Sequence, residues 1–82
     1  KAHYHLGNLW YDKKQYTKAI HHWEISRDLD PNFPTVHRNL ALAYFNKQND
    51  AKNALLELEK AFSLDQSDAR VLMELDQLYK RL

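Results

Sequence analysis

Five histidines and eleven carboxylates are the side chains in this 82-residue chain best suited to hold a metal or move a proton. A helical metal site needs ligands on one face, and i, i+4 spacing supplies them. His3 and His5 point to different helix faces, as do the adjacent His21 and His22, and no two histidines are four apart. His3 and His37 fall where an internal pattern calls for a bulky packing residue, so they read as partly buried structural histidines. His21 and His22 read as outer-face residues. Neither a metal site nor a cofactor is expected. The carboxylates follow helix-surface spacing, with Glu57 set against Lys60 and Asp76 against Lys80. The sequence has no glycine-rich phosphate loop, no nucleophile in a strained turn and no buried acid pair. Serines and threonines sit at caps or small packing positions, and Trp10, Trp23 and Tyr44 occupy packing positions rather than a cofactor stack. No enzyme is expected.

The bulk composition narrows the partners. Twelve Lys and Arg against eleven Asp and Glu leave a net charge of +1, without the basic stripe that displaces counterions from phosphates, so no nucleic acid is expected. No apolar run approaches the ~20 residues of a membrane span, and without cysteine there are no disulfides or thiolate sites. The compartment stays open, with a cytoplasmic setting as the default expectation. The chain opens at Lys1 inside an amphipathic pattern and reads as an excerpt from a longer protein.

One glycine and two prolines among abundant Ala, Leu, Lys and Glu point to long helices with short connections. His3, Leu6, Gly7 and Trp10 stand at i, i+3, i+4 and i+7. His37, Leu40, Ala41 and Tyr44 repeat this spacing thirty-four residues on, and Leu72, Leu75, Asp76 and Tyr79 after thirty-five more. Between them, Ala19, Ile20, Trp23, Ser26 and Leu29 correspond to Ala54, Leu55, Leu58, Ala61 and Leu64. Two helix types therefore alternate, A-B-A-B-A, and the spacing predicts helices over 2–13, 16–29, 34–46, 51–64 and 69–81. Small residues at Gly7, Ala41, Ala19, Ala54, Ser26 and Ala61 let paired helices approach, and large neighbours fill the holes. Trp10, Trp23, Leu40, Tyr44, Leu55, Leu58 and Leu75 are expected among the most buried residues. Pro31 stops the second helix and Pro34 suits the first turn of the third. Asp50, and Ser67 or Asp68, are the expected caps of the fourth and fifth. Asp76 takes the small position of the last helix, which is expected to stay open to water or to meet a partner group. That helix is expected to act as a solvating cap.

The stretch LGNLWYDKKQYTKAIHHWEISRDLDP resembles the tetratricopeptide repeat (TPR) signature through Leu6-Gly7, Trp10, Ala19, Trp23, Ser26 and Pro31. The second unit matches through Leu40, Ala41, Tyr44, Ala54, Leu58 and Ala61. The resemblance implies an all-α fold of antiparallel hairpins stacked as a right-handed α-solenoid, with repeats at 1–33 and 34–68 and a first helix of a third at 69–82. Where the family usually has a turn glycine, this chain has Lys13-Lys14 and Lys47-Gln48-Asn49. The resemblance further implies a protein-interaction scaffold whose A helices line a concave groove for a peptide or partner helix. It carries the ligand-facing positions onto Tyr4, Asn8, Tyr11 and Asp12; onto Arg38, Leu42, Phe45 and Asn46; and onto Met73, Gln77, Lys80 and Arg81. Of the positions that some relatives use to clamp an acidic chaperone tail, only Asn8 keeps the expected type. An apolar segment is the better-suited ligand, with Arg38 selecting an acidic residue on it. Self-association through the open C-terminal end is a further expectation. The alternatives are a spacer or assembly segment of a longer solenoid, or an accessory region of a larger enzyme. LGNLWYDKKQYTKAIHHWE and ELDQLYKRL also resemble repeat segments of large bacterial proteins that carry a carbohydrate-active-type β domain.

Overall fold

The computed structural model describes residues 2–81, which form five helices: α1 (Ala2–Asp12), α2 (Tyr16–Leu29), α3 (Pro34–Gln48), α4 (Ala51–Leu64) and α5 (Ala69–Arg81). Lys1 and Leu82, the outermost residues of the expected repeats, lie outside the described residues. Among the described residues there is no strand, and no helix is long and apolar enough to cross a membrane. α1 pairs chiefly with α2 and α3 with α4, while α2–α3 and α4–α5 contacts join the hairpins. The Cα radius of gyration is 11.9 Å, close to the about 12 Å of a compact domain of this length. The hairpins therefore share one core.

Local chemistry sets the helix ends. Asp50 Oδ1 accepts from the backbone N–H of Asn53 at 3.2 Å and Asp68 Oδ1 from that of Arg70 at 3.0 Å, capping α4 and α5. Asp65 holds the crossing between them, accepting from the Ser67 N–H at 3.1 Å and hydroxyl at 2.6 Å. Pro34 opens α3, where a missing N–H leaves no intrahelical bond unmade. In the turns within hairpins, Lys14 (φ 63°) and Asn49 (φ 53°) take the left-handed conformation that usually favours glycine. α1 ends at Asp12 and α3 runs on to Gln48, a shift of one or two residues from the periodicity. The first turn closes with Gln15 N–H donating to the Trp10 carbonyl, the second with Asp50 N–H donating to that of Tyr44, both at 2.9 Å. The hydrogen-bonded closure of the second turn thus spans one residue more, taken up in the longer end of α3, and this lengthens the second repeat.

The core lies between the helix layers. Leu40, Val36 and Leu58 are its largest fully buried side chains. Trp23, Tyr44 and Leu75 are buried as expected, whereas Trp10 and Leu55 are only half-buried and pack from its edge. Trp10 keeps one face open, with Lys18 Nζ 4.5 Å from its ring centroid. At Gly7 a Cβ atom would stand 2.3 Å from Trp23 Cδ1 and Nε1. The indole therefore lies directly on the α1 backbone, and its N–H donates to the Tyr4 carbonyl at 3.2 Å.

The third copy of the pattern packs differently from its sequence register. Of Leu72, Leu75, Asp76 and Tyr79, only Leu75 is buried, and the buried stripe of α5 is Val71, Leu75 and Leu78. An A helix in this fold has two apolar faces: α3 buries both, with Val36, Leu40 and Ala43 on one and His37, Ala41 and Tyr44 on the other. α5 buries the face that meets the preceding hairpin. Asp76, with its side chain 67% exposed, stays open to water beside Lys80. Leu72, Met73 and Tyr79 are also exposed, so the outer side of α5 is largely apolar rather than the polar surface of a solvating cap.

Candidate interaction surface

The A helices α1, α3 and α5 are held in place by polar links that sequence spacing does not reveal. Glu57 does not pair with Lys60. Its carboxylate turns inward, Oε2 accepting from Arg27 Nη1 and Oε1 standing against His37 Nδ1, each at 2.7 Å. The other nitrogen of His37 lies 2.7 Å from the Pro31 carbonyl. Both ring nitrogens therefore stand against acceptor oxygens, the Glu57 carboxylate and the Pro31 carbonyl. One carboxylate on α4 thereby ties α2, α3 and the first crossing together. Burial works against the Arg27 charge, but Glu57 and Asp28 together outweigh it and hold the guanidinium pKa above its ordinary value. A second link joins the hairpins where the buried Tyr44 hydroxyl donates to Glu24 Oε2 at 2.5 Å. Burial first, and then that carboxylate, push the Tyr44 phenol up.

A third link was hidden because it spans two helices. His3 Nδ1 on α1 lies 3.3 Å from His22 Nδ1 on α2, with the rings stacked at 5.5 Å. No group of three or more His, Cys, Asp or Glu among the described residues is placed to hold a metal ion. Burial, then His3 and His21, lower the His22 pKa from its ordinary 6.5. The unfolded chain therefore takes up a proton there more readily than the folded one. This contribution to stability is full above about pH 6.5 and falls as the pH drops through the folded value. The denaturation midpoint is expected to decrease between pH 7.5 and pH 5, and His22→Gln to shrink that decrease. Identical pH slopes for the two proteins would count against it.

Two clefts open along the face built by α1, α3 and α5. The first, 390 Å³, lies between α1 and α3 and is lined by Asn8, Tyr11, Asp12, Trp23, Asn39 and Leu42. The second, 110 Å³, lies between α3 and α5, with Leu42, Phe45, Asn46, Glu74 and Gln77 around a floor that includes Leu58. Leu42 is the ridge shared by both. Tyr11 is fixed by edge contact with Tyr16 at 5.0 Å and by Trp23 at 5.5 Å. The Arg81 guanidinium lies over the Phe45 ring, 5.0 Å from its centroid.

Of the residues singled out from sequence, the clefts bring together Asn8, Tyr11, Leu42, Phe45 and Gln77, along with Asp12 and Asn46. Arg81 reaches the second cleft only through its place over the Phe45 ring, and the other four lie elsewhere. Tyr4 packs edge-on against Phe33 at 5.1 Å. Arg38 is bound by Glu74, Nε to Oε1 at 2.9 Å, so its charge is already matched. Met73 lines a trough on the outer side of α5, and Lys80 pairs with Asp76 at 3.2 Å. Asn39 and Glu74 line the clefts unforeseen. They share one repeat position, thirty-five residues apart and next to Arg38 and Met73, and its polar character was the available signal.

Stacked helical hairpins with an open, cleft-bearing helix face define a helical-repeat scaffold. The TPR repeat family matches residues 7–48, a little over half of the sequence, and the chain belongs to that family. Such repeats generally mediate protein–protein interaction.

Proposed function

We propose that the chain binds a protein segment, extended or helical, along the face of α1, α3 and α5, with two apolar side chains of the ligand entering the clefts on either side of Leu42. The supporting observation is this pair of clefts, where apolar walls from Leu42, Phe45 and the Tyr11–Trp23 pair alternate with the amides of Asn8, Asn39, Asn46 and Gln77. Amides offer a donor and an acceptor each and can bond a ligand backbone without demanding a charge. Because Arg38 and Lys80 are engaged by Glu74 and Asp76, selection of an acidic ligand residue by Arg38 is set aside. A terminal carboxylate would find no focused pair of cations here.

Phe45→Ala is expected to weaken the complex by ~1–3 kcal/mol, the range for an aromatic anchor, without unfolding the domain. The probe is a peptide selected by display against the wild-type chain. Trp23 lines the first cleft, so its emission should report occupancy. Equal affinity for the variant and wild type would exclude the α3–α5 cleft, and unchanged Trp23 emission on binding would exclude the α1–α3 cleft.

A second reading is assembly, with self-association through the outer side of α5. Leu72 is 55% exposed, Met73 63% and Tyr79 53%, a cluster of apolar surface on one side of one helix.

A further inference from the structure

The two outermost helices each leave an apolar surface uncovered. On α1 it is a stripe of Ala2, Leu6 and Leu9, the two leucines 39% and 49% exposed. On α5 it is a trough of 700 Å³ shared with α4, built on Phe62 and Leu75 and edged by Leu72 and Tyr79. Inside the molecule the repeat counterparts of both are covered. Leu40 and Ala43, thirty-four residues on from Leu6 and Leu9, are 0% exposed, and so is Ala41, the counterpart of Asp76.

The fold itself shows what fits such a trough. α2 packs on α1 with Ala19, Trp23 and Ser26, and α4 packs on α3 with Ala54, Leu58 and Ala61, each set at i, i+4 and i+7. Ala2, Leu6 and Leu9 stand at the same spacing on the outer side of α1. That helix carries outward the kind of stripe with which this chain covers its own A helices. The trough's two carboxylates, Asp76 and Glu59, are already met by Lys80 and by the Tyr79 hydroxyl, so the match rests on apolar shape and spacing rather than on charge.

We infer that the chain associates head to tail with a second copy of itself, the Ala2–Leu6–Leu9 stripe of one copy seated in the α4–α5 trough of the next. The two patches are different surfaces, so each contact leaves one of each kind free and further copies can add. This rests on the reading that the outer side of α5 binds another copy, and it specifies which surface of that copy is bound.

The test is sedimentation velocity of the 82-residue chain over a concentration series reaching about 1 mM, with two blocked variants. Leu9→Glu places a charge on the stripe and leaves the trough intact; Leu72→Glu does the reverse. Both positions are exposed, and circular dichroism confirms that each variant folds. If either does not, Leu6→Glu and Met73→Glu replace them. The wild type is expected to grow past a dimer with concentration, each variant alone to remain monomeric, and an equimolar mixture to stop at a 1:1 pair. A wild-type dimer that survives in Leu9→Glu would show trough-to-trough contact, keeping self-association but overturning the head-to-tail arrangement. A wild type that is monomeric throughout would overturn both, and a mixture that stays monomeric would overturn the complementary pairing.

Discussion

Trp23→Ala is expected to lower the unfolding free energy by about 3–5 kcal/mol, against roughly 4–12 kcal/mol in total for a domain of this length. Trp23 is 4% exposed and is the large side chain that closes the first hairpin. Its indole N–H is satisfied by the Tyr4 carbonyl, and truncation would open a void that rigid neighbouring helices can only partly fill. The fit depends on Gly7, where any Cβ meets the indole at 2.3 Å. Gly7→Ala alone should therefore destabilise by about 1–3 kcal/mol through overpacking, despite the roughly 1 kcal/mol that alanine gains in helix propensity. The second repeat holds Ala41 and Leu58 at the matching positions. In a Trp23→Leu background, Gly7→Ala should accordingly lose its penalty and become neutral or stabilising. Urea denaturation of the four proteins forms a double-mutant cycle. Additive effects would show that the glycine is not there to admit the indole.

Glu57→Ala is expected to cost about 3–5 kcal/mol, as when one partner is removed from a buried charged pair, with Glu57→Gln milder. The Glu57 side chain is 14% exposed and that of His37 only 4%, and without the carboxylate His37 Nδ1 and Arg27 Nη1 lose their partner, leaving Arg27 only its Nε bond to Asp28. The loss should also loosen the coupling between hairpins, because this group joins α2, α3 and α4. Both tryptophans lie in the first hairpin, so fluorescence reports that hairpin while far-ultraviolet dichroism reports every helix. In the variant the two probes should give separate denaturation midpoints. Coincident transitions with a loss below about 1 kcal/mol would place the junction's strength in apolar packing instead.

What the sequence determined by itself is the set of features that depend on neighbours along the chain. Five helices follow from apolar periodicity, and their starts from Pro34, Asp50 and the Ser67-Asp68 pair, of which Asp68 makes the cap, because a cap acts within three residues of its own position. The repeat register followed from self-similarity, and with it the small residues at helix contacts, since close approach limits side-chain size wherever it occurs. Tertiary structure decided which partner each polar group found. Spacing set Glu57 beside Lys60, yet the carboxylate reaches His37 across twenty residues and Arg27 across thirty. His3 and His22, and Arg38 and Glu74, met in the same way across helices. Helix periodicity states which residues share a face, but not which element that face will meet. α5 shows the same limit: the repeat register pointed to Leu72, Leu75, Asp76 and Tyr79, and docking onto the preceding hairpin selected Val71, Leu75 and Leu78 for burial. That choice turned Met73 and Lys80 away from the clefts and left the outer trough uncovered. Burial of one apolar face decides the fate of the other, and a one-dimensional pattern contains no term for that choice.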